Sequence, residues 1–263
     1  MLQFIHNHNI MNKKNILLIS VSLILVSGIG FSYYTFNKTV PVVEIKDSLF
    51  STYLKNKSET FTENTDWYEV KINYPKDNQK VRDQIFEQYN NFIKENRLKE
   101  FTDAKTAREA LGIQDSEITY AFSAEYKMVS SQNTISYVYQ IYTFTGGAHG
   151  ATVIYPITYN DKLELLTVEK ILPDNILDKV AKLALVDILK QKKERLKSSG
   201  MSDKDIEEMF KDDSWLSEGT SPTRDNYNSV WYDKEDVVIN FGQYQVGPYA
   251  EGMYEVRIPF ASI

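Results

Sequence analysis

Hydrophobic positions change their spacing several times along the chain, and each change marks an element. Residues 16–36, ILLISVSLILVSGIGFSYYTF, hold no charged side chain. A run of about 20 such residues crosses a ~30 Å hydrocarbon core as a helix. Lys13 and Lys14 precede it, and Phe31, Tyr33, Tyr34 and Phe36 close it with the aromatic belt of a membrane interface. The pattern predicts a cytoplasmic stub over 1–15, a single transmembrane anchor over 16–36, and an extracellular remainder. A cleaved signal peptide, with Gly28 and Gly30 as the small residues before the cut, is the competing reading and would leave the protein secreted. The apolar run continues past both glycines, which favours the anchor. Met11, followed by Asn-Lys-Lys, competes with Met1 as the start.

Residues 37–64 are polar and lack strong periodicity, so they read as a stalk. From Trp67 the pattern sharpens. Tyr68, Val70, Ile72 and Tyr74 alternate with polar residues up to Pro75, as on a half-buried strand. Val81, Ile85, Tyr89, Phe92 and Ile93 then fall at the spacing of an amphipathic helix. Alternation resumes from Ile118 to Met128 and, after the polar turn 130–133, from Ile135 to Ile141, which predicts an antiparallel hairpin with a tyrosine-rich face. A strand over 152–159 and a turn at 160–162 follow.

Pro173 and Asp174 open a long helix with Ile176, Val180, Leu183, Ala184 and Leu189 inward. Its basic tail, 191–197, reads as a solvated end. Residues 202–210 predict a short capped helix, then a polar loop carrying Trp215, then strands over 237–244 and 253–260. Strands and helices do not alternate strictly. The expected class is therefore α+β, with antiparallel sheets and packed helices. The expected domains are two of similar size behind the anchor, 65–159 and 160–263.

Composition narrows the chemistry. Cysteine is absent from the 263 residues, which removes disulfides, thiolate nucleophiles, iron–sulfur clusters and a lipid-bearing cysteine. With His6, His8 and His149 as the three histidines, no metal site and no cofactor are expected. The net charge of −6 conceals an asymmetry. Three of the 30 basic residues and none of the 36 acidic ones lie before Thr39, leaving 27 against 36 beyond it, a net of −9. Such a surface does not suit nucleic acid or anionic lipid, but it suits a basic protein partner.

Two turns carry the candidate chemistry. In Thr145-Gly146-Gly147-Ala148-His149-Gly150 the paired glycines permit positive φ and close backbone approach. No Gly-Lys-Ser/Thr or helix onset makes this a phosphate loop. His149 is a candidate general base, and neighbouring carboxylates would have to complete a hydrolase. The second turn, Tyr244-Gln245-Val246-Gly247-Pro248-Tyr249-Ala250-Glu251-Gly252, offers aromatics for a sugar or an interface, or for packing inside the domain. The carboxylate pairs Glu207–Glu208 and Asp212–Asp213 match glycosidase chemistry by residue type alone. The candidate binding residues are Gly146, Gly147, His149, Tyr244, Pro248 and Tyr249, with no catalytic residue assigned.

Together the turn TGGAHG and the terminal segment INFGQYQVGPYAEGMYEVRIPF resemble the paired extracellular domains of a lysozyme-sensing anti-sigma-V factor and of a membrane-bound peptidoglycan deacetylase. Gly150 stands where that family's turn carries proline. The resemblance covers about residues 66–263 and implies an α+β ectodomain that binds proteins or wall material outside a bacterial cell. It implies neither signalling nor deacetylation here. Some 14 residues precede the membrane run, and no Asp-Asp with a His-x-x-x-His partner is present. The expectation is a non-enzymatic, membrane-anchored envelope protein that binds a wall hydrolase such as lysozyme, or peptidoglycan. The alternative is a wall hydrolase built on His149.

Overall fold

The structure, a computed structural model, describes residues 57–263 except 102, 113–118, 132 and 212. The expected stub, anchor and most of the stalk lie outside these residues. Among the described residues no helix is long and apolar enough to cross a membrane.

Within the described residues eight strands form two sheets. The first has the order β1 (Ser58–Asn64), β2 (Tyr68–Pro75), β3 (Tyr120–Ser131), β4 (Thr134–Phe144), β5 (Ala151–Asn160). The second is a meander of β6 (Val230–Asp233), β7 (Asp236–Phe241) and β8 (Tyr254–Pro259). Among the described residues six α-helices accompany them: α1 (Gln79–Glu95), α2 (Ala104–Ala110), α3 (Val168–Ile171), α4 (Asp174–Ser198), α5 (Asp203–Phe210) and α6 (Ser214–Gly219). The class is α+β with mainly antiparallel sheets, as the pattern predicts. One pair departs from it: β2 and β3 run parallel, because α1 and α2 carry the chain back across the sheet between them.

The predicted stalk ends earlier than its polarity suggests. Its last seven residues, Ser58–Asn64, are β1, paired antiparallel with β2 from Ser58 opposite Pro75 to Asn64 opposite Glu69. The strand was masked by composition: SETFTEN is polar on both faces, as an edge strand tolerates. Phe61 is its one apolar residue, and its ring meets Phe86 and Tyr89 at 5.3 and 5.7 Å.

Each sheet buries one face under one long helix. Asn78 starts α1 by accepting from the Val81 amide, and the five residues at helical spacing, Val81, Ile85, Tyr89, Phe92 and Ile93, are all buried. They pack on Val70, Ile72, Phe122, Ala124, Tyr137 and Tyr139 of the first sheet. On the second sheet, α4 covers Val237, Ile239, Phe241, Tyr254, Val256 and Ile258. Its buried stripe is Leu177, Val180, Ala181, Ala184, Ile188 and Lys192, turned slightly from the predicted one, so Ile176, Leu183 and Leu189 are only partly covered.

The remaining faces meet each other. Trp231 and Val238 of the second sheet pack on Val138 of the first, flanked by Val129 and Ile154. Ser131 donates to Lys234 O, and the Ser229 hydroxyl donates to Ile154 O at 2.8 Å. The layers therefore run helix, sheet, sheet, helix, and the shared seam carries the site.

Candidate functional site

The β4–β5 turn is built around glycine. Gly146 and Gly147 have φ of 92° and 91°, a region that side-chain-bearing residues rarely enter. Gly150 leaves room for a neighbouring ring: a Cβ there would stand 2.4 Å from the Tyr142 ring, which would have to swing away. Between them the turn lifts His149 to the surface, beside the second sheet.

The second turn meets it there. Gly242 O accepts from the Gln245 amide at 3.2 Å, and the Gln245 side chain accepts from the Gly242 amide while donating to Gly219 O and Asn226 O. These bonds hold Tyr244 at φ 65°, a left-handed conformation that costs a non-glycine residue about 1–3 kcal/mol. Gly219 must be glycine, since a Cβ would fall 1.9 Å from Gln245 O. Pro248 then starts the single 3₁₀ turn Tyr249–Glu251.

The two turns converge. The Tyr249 ring stacks on the His149 imidazole with centroids 3.5 Å apart and planes 15° from parallel. Tyr249 Oη donates to Gly150 O at 3.0 Å, and the Thr152 amide donates to Gln243 Oε1 at 2.9 Å. Tyr244 lies 6.4 Å from His149 and 5.6 Å from Tyr249 between centroids, and Trp215 adds a fourth ring 6.3 Å from Tyr244. Trp215 remains 44% and Tyr244 50% exposed. Of the six predicted binding residues, His149, Tyr244 and Tyr249 share this platform. Gly146, Gly147 and Pro248 shape the turns that present it.

Trp215 was not among the predicted binding residues. It lies not in a loop but on α6, capped by the Asp213 carboxylate, which accepts from the Leu216 amide at 2.9 Å. The basic tail of α4 is a second correction. Lys192 is 4% exposed, with Nζ 2.9 Å from Asp213 Oδ2, 2.7 Å from Val246 O and 3.4 Å from Glu251 Oε2. Arg195 donates to Glu251 O and Met253 O and lies over the Tyr254 ring at 3.9 Å. The signal for Lys192 was its spacing: it continues the inward series 180, 184, 188 by one further step of four.

The chemistry open to this arrangement is recognition by ring faces. Nδ1 of His149 lies 3.2 Å from Gly150 O and Nε2 lies 3.3 Å from Tyr244 Oη. Both contacts are met if Nδ1–H donates to the carbonyl and Tyr244 O–H donates to Nε2. No described carboxylate hydrogen-bonds the imidazole. Asp213 is committed to α6 and Lys192, Glu208 pairs with Lys211 in solvent, and Asp212 lies outside the described residues. Among the described residues no cluster of His, Asp and Glu is arranged to hold a metal. Two surface depressions lie elsewhere, one of about 190 Å³ beside Asn78 and Tyr159 and one of about 360 Å³ beside Trp67 and Phe101. The platform is an open surface.

Comparison with known proteins divides the chain in the same two parts. Residues 61–152 match the family model described as Deacetylase PdaC, and residues 171–261 match Protein of unknown function (DUF3298). A curated relative, the peptidoglycan-N-acetylmuramic acid deacetylase PdaC of Bacillus subtilis (strain 168), is 30% identical over 126 residues, 47% of this chain. The matched region is 24% of that relative's length, so the chain spans about a quarter of it. Among solved structures, a DUF3298 family member from Bacteroides fragilis NCTC 9343 superposes with a TM-score of 0.54 at 18% identity, over 78% of this chain and 90% of that one. That likeness establishes the fold. The chain is thus similar to a PdaC-like domain over its first part and to DUF3298 over its second, the domain pair that its two signature turns resemble.

Proposed function

We propose that the protein is a single-pass, membrane-anchored component of the bacterial cell envelope whose extracellular part is a non-catalytic module that binds peptidoglycan through the Trp215–Tyr244–Tyr249–His149 platform. The PdaC-like domain supports the envelope assignment, and residues 16–36 supply the anchor in this reading. One observation carries the ligand: aromatic rings from two turns and from α6 are held together, with Trp215 and Tyr244 about half exposed. Exposed aromatic clusters of this kind mark contact surfaces. The apolar C–H face of a pyranose ring is a suitable occupant for adjoining ring faces, whose π electrons attract its slightly positive hydrogens. Both His149 nitrogens already have partners, which favours binding over general-base chemistry.

The test is sedimentation of the full-length protein, held in nanodiscs, with insoluble peptidoglycan. Trp215→Ala with Tyr244→Ala should weaken binding by about 5- to 150-fold, since two ring contacts at roughly 0.5–1.5 kcal/mol each sum to about 1–3 kcal/mol. Undiminished binding by the double variant refutes the platform.

The net charge of −9 beyond Lys38 favours a second reading, a basic wall hydrolase of the lysozyme type as partner. Its association rate with the nanodisc-held protein should fall as salt rises from about 0.05 to 0.5 M, because charge steering is screened. No association at micromolar lysozyme at either salt excludes it.

A further inference from the structure

A buried ammonium needs a reason beyond stability, because a well-packed apolar side chain in its place is often neutral or stabilising. Lys192 is rooted in the rigid part of the second domain. It lies one helical step from Ile188 and two from Ala184, both fully buried in the core under α4. Its three N–H donors face three oxygens: Asp213 Oδ2, Val246 O and Glu251 Oε2. The acceptors come from separate segments, and each stands two residues from one ring of the platform. Asp213 precedes Trp215 by two, Val246 follows Tyr244 by two, and Glu251 follows Tyr249 by two.

The acceptors are themselves fixed. Asp213 caps α6 through the Leu216 amide, and Glu251 accepts from Tyr254 Oη at 2.6 Å. Phe210 lies 5.8 Å from Nζ, so the charge meets a ring on its remaining side. A single point charge on a packed helix thus contacts the segments next to each of the platform's three second-domain rings. An apolar side chain at 192 would fill the same volume without bonding any of those segments.

We propose that Lys192 is the positioning residue of the aromatic platform, fixing Trp215, Tyr244 and Tyr249 relative to one another by holding their three segments at one point. The functional consequence rests on the platform being the ligand site; the geometric claim does not.

The experiment uses the full-length protein labelled with 5-fluorotryptophan, whose three resonances report Trp67, Trp215 and Trp231 separately. Lys192→Met keeps the length of the side chain and removes the charge. In it the Trp215 resonance should move or broaden while those of Trp67 and Trp231 keep their places, and peptidoglycan binding should fall about tenfold. Asp213→Asn retains the cap on α6, since Asn serves as well as Asp there, and weakens the bond to Lys192. It should shift the same resonance by a smaller amount, and it provides the test if Lys192→Met does not fold. A Trp215 resonance unchanged in position and width in the folded variants overturns the proposal. A shifted resonance with undiminished peptidoglycan binding upholds the positioning role and refutes the ligand assigned to the platform.

Discussion

The two domains share a plan, one long helix across one sheet, and differ in what they bury. The first fills its core with rings and satisfies several of their hydroxyls locally, though the buried Tyr139 hydroxyl has no partner among the described residues. Tyr68 Oη donates to Glu63 at 2.5 Å, Tyr89 Oη donates to the same carboxylate, and the Gln84 amide donates to Tyr159 Oη at 3.0 Å. The second has a largely aliphatic core but sinks a lysine into its edge, and that lysine bonds the segments that bear the exposed aromatics. In one domain buried polarity serves the core; in the other it serves the surface. Perturbations of the first core should therefore cost stability without touching the platform, and perturbations of the buried lysine should do the reverse.

Alkali gives the largest expected effect. Burial, and then the bond to Glu63, pushes the Tyr68 hydroxyl up to about 12, and burial pushes Tyr159 up to about 12. Tyr89, Tyr120, Tyr126, Tyr139 and Tyr155 are raised as well, chiefly by burial. In the second domain the raised tyrosines are Tyr227, Tyr232 and Tyr254. A raised phenol means that the folded state prefers the neutral form. Its contribution is complete below the unfolded value of about 10 and is lost as pH climbs through the folded value. With seven such groups against three, the first domain should unfold at lower pH than the second between about pH 10 and 12. Loss of the Trp67 fluorine signal ahead of that of Trp215 checks the order, and simultaneous loss contradicts it.

A cavity in the first core comes next. Ile85 is fully buried between α1 and the sheet, so Ile85→Ala should cost about 2–5 kcal/mol. Urea denaturation measures the loss. In the protein that remains folded the Trp215 resonance should stay in place, whereas Lys192→Met should move it. If Ile85→Ala displaces Trp215 as much, the division between the domains is wrong.

How much of this was legible in the sequence follows from the same division. The helix spacing of residues 81–93 and the alternation of 135–141 name buried positions correctly, because repeating patterns record a core. The parallel pairing of β2 and β3 leaves no such record, since which strand a chain returns to is decided by packing. His149, Tyr244 and Tyr249 were visible because glycine and proline punctuate their turns. That the turns meet was not, being a contact across 95 residues. Lys192 was misread because a charge inside a basic run looks solvated, even though its place on the helix continues the apolar stripe.

The seam between the sheets should show the smallest effect, and a sharp one. Trp231 is 1% exposed against Val138 and Val238, yet its indole N–H has no acceptor among the described residues. Trp231→Phe removes that donor along with part of the ring. The lost atoms cost about 2 kcal/mol, a cavity share on the order of 1 kcal/mol at ~24 cal/mol per Å³ and a transfer share of similar size. Relief of an unpaired buried N–H returns about 1–3 kcal/mol. The two terms nearly cancel, so the variant should lie within about 1 kcal/mol of the parent in urea, while Trp231→Ala, which surrenders the whole ring, should cost about 3–5 kcal/mol. A loss above about 2 kcal/mol in Trp231→Phe would mean that the indole N–H is bonded in solution and that the seam is held by polarity as well as by packing. Parity with the parent would make the Trp231 contact a plain apolar one, leaving Gln243, Tyr244, Tyr249 and Ser229 among the side chains that bond across the seam, together with Ser131 at the far end.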